Sequence, residues 1–306
     1  LNSGDAVVRA NAARAIGAAE DKGAFDPLLS RALNDPDLRV RASAIRALGS
    51  LKDIRAVAPL VQRGNSLIVS ARGSSANNEL LEITTTLGRL LPNTFNESAV
   101  ALVRKMHRVT NGEAVEVEIA FARMAPGIFQ NDPYRAEDSR PNTNWRQVSR
   151  RAQGLAAIRD VIVGAATGSA GDTALKEAQM ELAVMLRRVS TPSLAVPDIL
   201  QSYASFKSPD AGEVALSRLR DSDVIVRATA AEILGDQTPA EGNARALINA
   251  LPRALQDRDL NDAALAILEA LAKQKSAPAN EAIKTALDSS DQLIRRRAVA
   301  LLKANG

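Results

Sequence analysis

The 306-residue chain has no cysteine, a single histidine and few aromatics, 3% of residues against 46% that are apolar. Without thiols it has no disulfide framework, thiolate metal site or cysteine nucleophile, and the redox compartment stays open. With His107 as the single histidine, the usual zinc sites and any Cys–His pair are excluded. No run of about 18 apolar residues is present to cross a bilayer. The scarcity of aromatics leaves Ala, Leu, Val and Ile as the core, which suits closely approaching helices more than a sandwich or a ligand-enclosing barrel. Charge of one sign is also missing: 39 basic and 35 acidic residues give +4. Such a mixed surface permits weak attraction to polyanions without implying a dedicated nucleic-acid site.

What the chain does have is a phrase that recurs. Asp5-Ala6-Val7-Val8-Arg9 is followed by Ala12, Ile16 and Gly17, and Asp37-Leu38-Arg39-Val40-Arg41 by Ala44, Leu48 and Gly49. It returns as Asp223-Val224-Ile225-Val226-Arg227 with Ala230, Leu234 and Gly235, and as Asp291-Gln292-Leu293-Ile294-Arg295 with Ala298 and Leu302. Before the acid, a second helix ends in Leu-x-Asp, as in Leu33-Asn34-Asp35, Leu219-Arg220-Asp221 and Leu255-Gln256-Asp257. A two-helix unit of this kind, repeated every thirty-odd residues, predicts an array in which each unit buries its apolar side against the next.

The Asp-x-x-Val-Arg start and the helix pair resemble the HEAT repeat family, well over residues 1–65 and 208–304 and poorly between. The resemblance implies an all-α solenoid of about 16 helices in a curved right-handed superhelix. The whole of 1–306 is expected to be one array: regular repeats at 1–65, divergent ones at 66–207 with a long loop at 125–144, and regular ones at 208–306. Leu1 and Gly306 both fall inside a repeat, so the chain is expected to be part of a longer protein.

Punctuation predicts where helices begin and end. Asp26 with Pro27 reads as the start of a second helix, and Arg63-Gly64-Asn65 as its neighbour's stop, with a loop from Ser66 to Asn78. Thr94 to Glu97 and Thr238 to Glu241 have capping-box spacing. Residues 125–144 hold Pro126, Gly127, Pro133 and Pro141 and no usable period. Helical pattern resumes at Trp145, so two first helices are expected to flank a loop that has replaced a second helix.

No residue set reads as catalytic, cofactor-binding or metal-ligating. The repeated Asp and Arg read as a structural ladder, the acid capping its helix and the Arg bonding a neighbouring unit. His107 reads as a partly exposed surface residue. Gly164, Gly168 and Gly171 lack the residues of a phosphate loop or a nucleophile elbow. The loop and its exit carry Phe129, Tyr134 and Trp145, three of eight aromatics, plus Arg135 and Arg140. Those residue types anchor interfaces, or else pack over the gap left by the lost helix. In HEAT-like stacks the second helices usually line the concave side, which implies Arg31, Gln62, Arg63, Ser217 and Asn249 as inner-face residues. The function expected is a non-catalytic scaffold binding a protein or peptide through that face and the 125–145 loop. The alternatives are a substrate-presenting or regulatory arm of an enzyme, such as the HEAT region of a bacterial cyclophilin-type prolyl isomerase, and nucleic-acid binding.

Overall fold

The computed structural model describes residues 1–70, 78–131, 144–163, 168–257 and 260–305, and it is all-α: seventeen α-helices and no strand among the described residues. The chain divides into two compact units, Leu1–Leu182 and Ala183–Gly306.

In the first unit α1 (Ala6–Ala18), α3 (Leu38–Leu51), α5 (Asn78–Leu90), α7 (Val115–Met124) and α9 (Trp145–Val163) are first helices, each packed on the next. Behind them α2 (Phe25–Asn34), α4 (Val57–Ser70) and α6 (Glu97–Val109) form a second row. The unit's last helix, α10 (Gly168–Arg187), runs on into the second unit. There the first helices are α11 (Val196–Ser205), α13 (Val224–Gly235), α15 (Asp262–Gln274) and α17 (Gln292–Asn305). The second helices are α12 (Ala211–Arg218), α14 (Glu241–Ala254) and α16 (Ala277–Thr285). The core is the aliphatic one expected, with Leu28, Val40, Ala44, Leu48, Leu87, Val226, Leu234 and Leu271 at zero exposure. Fully burying one Leu contributes about 1.5–3 kcal/mol, which is what holds helices too short to stand alone.

First helices approach until backbones touch. A Cβ added to Gly17, Gly88 or Gly235 would lie 2.9, 2.8 or 3.0 Å from the Cα of Ala47, Ala120 or Ala270 on the next first helix. The Leu-Gly ending of the repeat phrase is therefore a spacing device.

Several local expectations are overturned, each by packing. Gly64 does not stop α4, which continues to Ser70; Gly64 is buried, and its missing Cβ makes room for Leu102 of α6. Asp26 does not cap α2, because a 3-10 turn over Lys22–Ala24, capped by Asp21, runs straight into the helix. The N-cap of α6 is Asn96, whose side chain accepts from the Ala99 N–H, rather than Thr94. At α14 the N-cap is Ala240, without a side-chain bond, and its N–H goes to Gln274 Oε1 at 3.1 Å. The stretch 125–144 is not loop throughout: α8 (Pro126–Gln130) is a five-residue helix with Pro at its start. It stands between α7 and α9, two first helices packed directly on one another.

Candidate functional site

The repeated Asp and Arg form the ladder. Asp5, Asp37, Asp223 and Asp291 each accept a backbone N–H at the start of their helix, at 2.7–2.8 Å. The Arg four residues on binds backward and forward. Arg9 donates to the carbonyls of Ser3 and Gly4 and clasps Asp35, at the C-terminal end of α2, through Nε and Nη2 at 2.8 and 2.9 Å. Arg41 holds the Asp35 and Pro36 carbonyls and reaches Glu79. Arg227, 2% exposed, holds the Asp221 and Ser222 carbonyls and pairs with Asp257. Arg295 binds the Ser289 and Ser290 carbonyls. Hydrogen bonding from Arg9 keeps the Asp35 carboxyl below its ordinary pKa, against the opposing pull of burial. Burial pulls the Glu79 carboxyl upward, yet bonds from Arg63 and Arg41 outweigh it and leave it lowered. These groups are committed to one another.

The α7–α9 junction uses the same economy. Phe129 of α8 is 1% exposed and meets Phe121 edge-on at 5.6 Å between ring centres. A Cβ on Gly154 of α9 would come within 2.5 Å of the Phe129 ring. Arg151 lies over that ring, donates to the Phe129 carbonyl at 2.9 Å and grips Glu181 of α10 with two bonds. Phe129 therefore faces inward, packed between α7 and α9, and offers no surface to a partner. Trp145, half-buried at the start of α9, has Arg146 over its ring at 5.0 Å. Tyr134, Arg135 and Arg140 lie outside the described residues. His107 is partly exposed, as expected, and its Nδ1 is 2.5 Å from Oε1 of buried Glu118 on α7, a contact no sequence spacing announces.

The five second-helix candidates separate by exposure. Gln62, Ser217 and Asn249 are exposed, whereas Arg31 is half-buried beside Asp35 and Arg63 is held on Glu79 at 2.8 Å. Ser217 lines a cavity of 520 Å³ in the second unit, with Arg187, Arg218, Arg220, Glu213 and Tyr203 on its walls. At its back the Tyr203 hydroxyl lies 2.7 and 2.8 Å from the two carboxylate oxygens of Asp210, and Ser208 donates to the same group. Those bonds, Ser208 first, and the charge of Arg187 keep the Asp210 carboxyl below its ordinary pKa. A larger cavity of 680 Å³ lies beside Asp257, Asn261, Ser289 and Asp291, whose acids already serve Arg227 and the α17 cap. No group of three or more His, Asp or Glu poised for a metal occurs among the described residues.

Such a stack of paired helices is an α-solenoid. Residues 1–68, its first two helix pairs, match the family model described as HEAT repeats. Among solved structures, the chain resembles the complex of CpcE and CpcF of phycocyanin lyase from Nostoc sp. PCC7120, at 17% identity and TM-score 0.35, covering 100% of this chain and 92% of that one. It also resembles human deoxyhypusine hydroxylase in complex with glycerol, at 15% identity and TM-score 0.33, covering 95% and 98%. A third likeness is to the tumor overexpressed gene domain arrays of microtubule polymerases, at 10% identity and TM-score 0.23, covering 99% and 98%. No curated protein matches the chain. No helix among the described residues is long and apolar enough to cross a membrane.

Proposed function

We propose that this chain is a scaffold that binds a protein or peptide along its second-helix face, with the rim at Trp145 as a further contact. The observation that carries this reading is the division of labour within each helix pair. The N-cap acids and repeat arginines of the first helices bond within and between repeats, while Gln62 in the first unit and Ser217 and Asn249 in the second stand exposed on second helices already ordered. A surface that is formed before its partner arrives loses little conformational entropy on binding. The test is site-specific photo-crosslinking in the native cellular extract. Photoreactive residues at positions 62, 217 and 249 are compared with others at Val8 and Arg39, exposed on first helices. Adducts of one discrete partner from the second-helix positions, weakened by Trp145→Ala, are expected. Equal labelling from both faces, or none, refutes the reading.

A further inference from the structure

In the second unit the C-terminal ends of α10, α12 and α14 are laced edge to edge. Arg218 of α12 donates from Nη2 to the Leu186 carbonyl of α10 at 2.5 Å, and Arg253 of α14 donates from Nη1 to the Arg220 carbonyl at 3.0 Å. These two bonds place Arg187, Arg220 and Arg253 in order along one edge. All three are exposed, and none has a carboxylate within salt-bridge distance among the described residues. The acids that could have neutralised them are bound elsewhere: Asp221 serves Arg218 and the Asp223 N–H, and Asp257 serves Arg227. Glu213 lines the cavity beside the row together with Asp221 and with Asp210, which Tyr203 and Ser208 already bond.

We propose that this edge binds an extended acidic peptide, with Asp or Glu at every third residue, lying across α10, α12 and α14 and dipping into the cavity beside Ser217. The spacing argues for it. Packed helices lie about 8–10 Å apart, and a chain in the extended polyproline II form has three residues per turn and advances about 3.1 Å per residue, so every third side chain falls on one side and meets the next arginine. The guanidinium groups offer planar, paired donors that match carboxylates. Arg187 and Arg253 also sit in the last turns of their helices, where the helix dipole favours positive charge and holds it in place, and Arg220 follows two residues after the end of α12. The inference rests on the second-helix face being the binding face and adds the chemistry of what lies there.

The test uses the full chain and a fluorescein-labelled twelve-residue peptide with Asp at every third position between Gly and Ser. A matched peptide with Asn for Asp, and a labelled dodecamer of thymidylate, are the comparison probes, read by fluorescence anisotropy. Binding of the Asp peptide at low salt is expected, with the Asn peptide and the thymidylate both at least tenfold weaker. The triple variant Arg187→Gln, Arg220→Gln, Arg253→Gln should lose about tenfold, as three exposed ion pairs imply. Should that variant melt early, the pair Arg187→Gln, Arg220→Gln keeps the test alive, since neither side chain forms a hydrogen bond or ion pair among the described residues; it should lose several-fold. Equal affinity for the Asp and Asn peptides, or variants that bind like the parent, overturns the proposal. Thymidylate bound as tightly as the Asp peptide also overturns it, in favour of a general polyanion surface. If crosslinking from positions 62, 217 and 249 still captures a partner while the Asp peptide fails, the acidic-peptide proposal alone falls. If both fail, the binding face falls with it.

Discussion

Replacing Gly88 with Ala isolates the claim that first helices are set by backbone contact. The new methyl carbon would stand 2.8 Å from the Ala120 Cα and 3.0 Å from its Cβ. Carbon atoms rest at about 3.5–4.0 Å, so α5 and α7 would have to part by about 0.7 Å along a contact built from main chain. Overpacking of that kind costs about 1–3 kcal/mol. Opposing it, Ala is the better helix former by about 1 kcal/mol. The net expectation is a loss of about 1 kcal/mol, within a range of about 0–2, which is about 2–4 °C in melting temperature at the central value. Gly242→Ala is the internal control, because nothing lies within 4 Å of the position. It lies in the first turn of α14 and should gain about 0.5 kcal/mol. Thermal and urea melts followed by helical circular dichroism at 222 nm read both. A Gly88→Ala protein as stable as its parent would show that helix propensity dominates and that the close approach is incidental.

Arg227→Met should cost about 2–3 kcal/mol, since it strips the Asp221 and Ser222 carbonyls and Asp257 of a buried donor; Arg227→Lys, which keeps the charge but not the fork, should recover only part of this in urea melts. Phe129→Ala should cost about 3–5 kcal/mol by opening a hole between α7 and α9, with crosslinking at position 249 in the other unit unchanged; loss of that crosslinking with no change in melting would place Phe129 in the binding surface instead. Asp35 has its folded pKa below the ordinary value near 4, so its contribution is complete above that pH and is lost as the pH falls toward the folded pKa. Urea midpoints measured from pH 7 to pH 3 should therefore fall less steeply for Asp35→Asn than for the parent, and superimposable slopes would count against the clasp from Arg9.

What was legible in the sequence was whatever a single repeat states about itself. The acid that caps a helix and the Arg one turn later are local, so Asp5/Arg9 and Asp223/Arg227 announced both the array and the ladder. What was hidden depends on a neighbour. Gly64 reads as a stop because glycine usually is one; only the side chain of Leu102, some forty residues on, turns it into room inside a continuing helix. Thr94 fits a capping pattern, but Asn96 stands closer to the helix and caps it. Phe129 was visible as an aromatic with two possible roles, and the facing Phe121, Gly154 and Arg151 select the inward one. The Glu118 partner of His107 and the row of Arg187, Arg220 and Arg253 required three dimensions, since each member belongs to a different helix.

The glycine contacts also bear on how the stack yields under load. Where main chain already touches main chain, at Gly17, Gly88 and Gly235, one row has no slack left to compress. Elastic strain must then be taken up on the opposite row, where the close approach at Gly64 is to the end of the Leu102 side chain rather than to main chain. Each unit therefore flexes like a strip with an incompressible backing, and a partner seated on the softer side can adjust curvature without disturbing the hinge line.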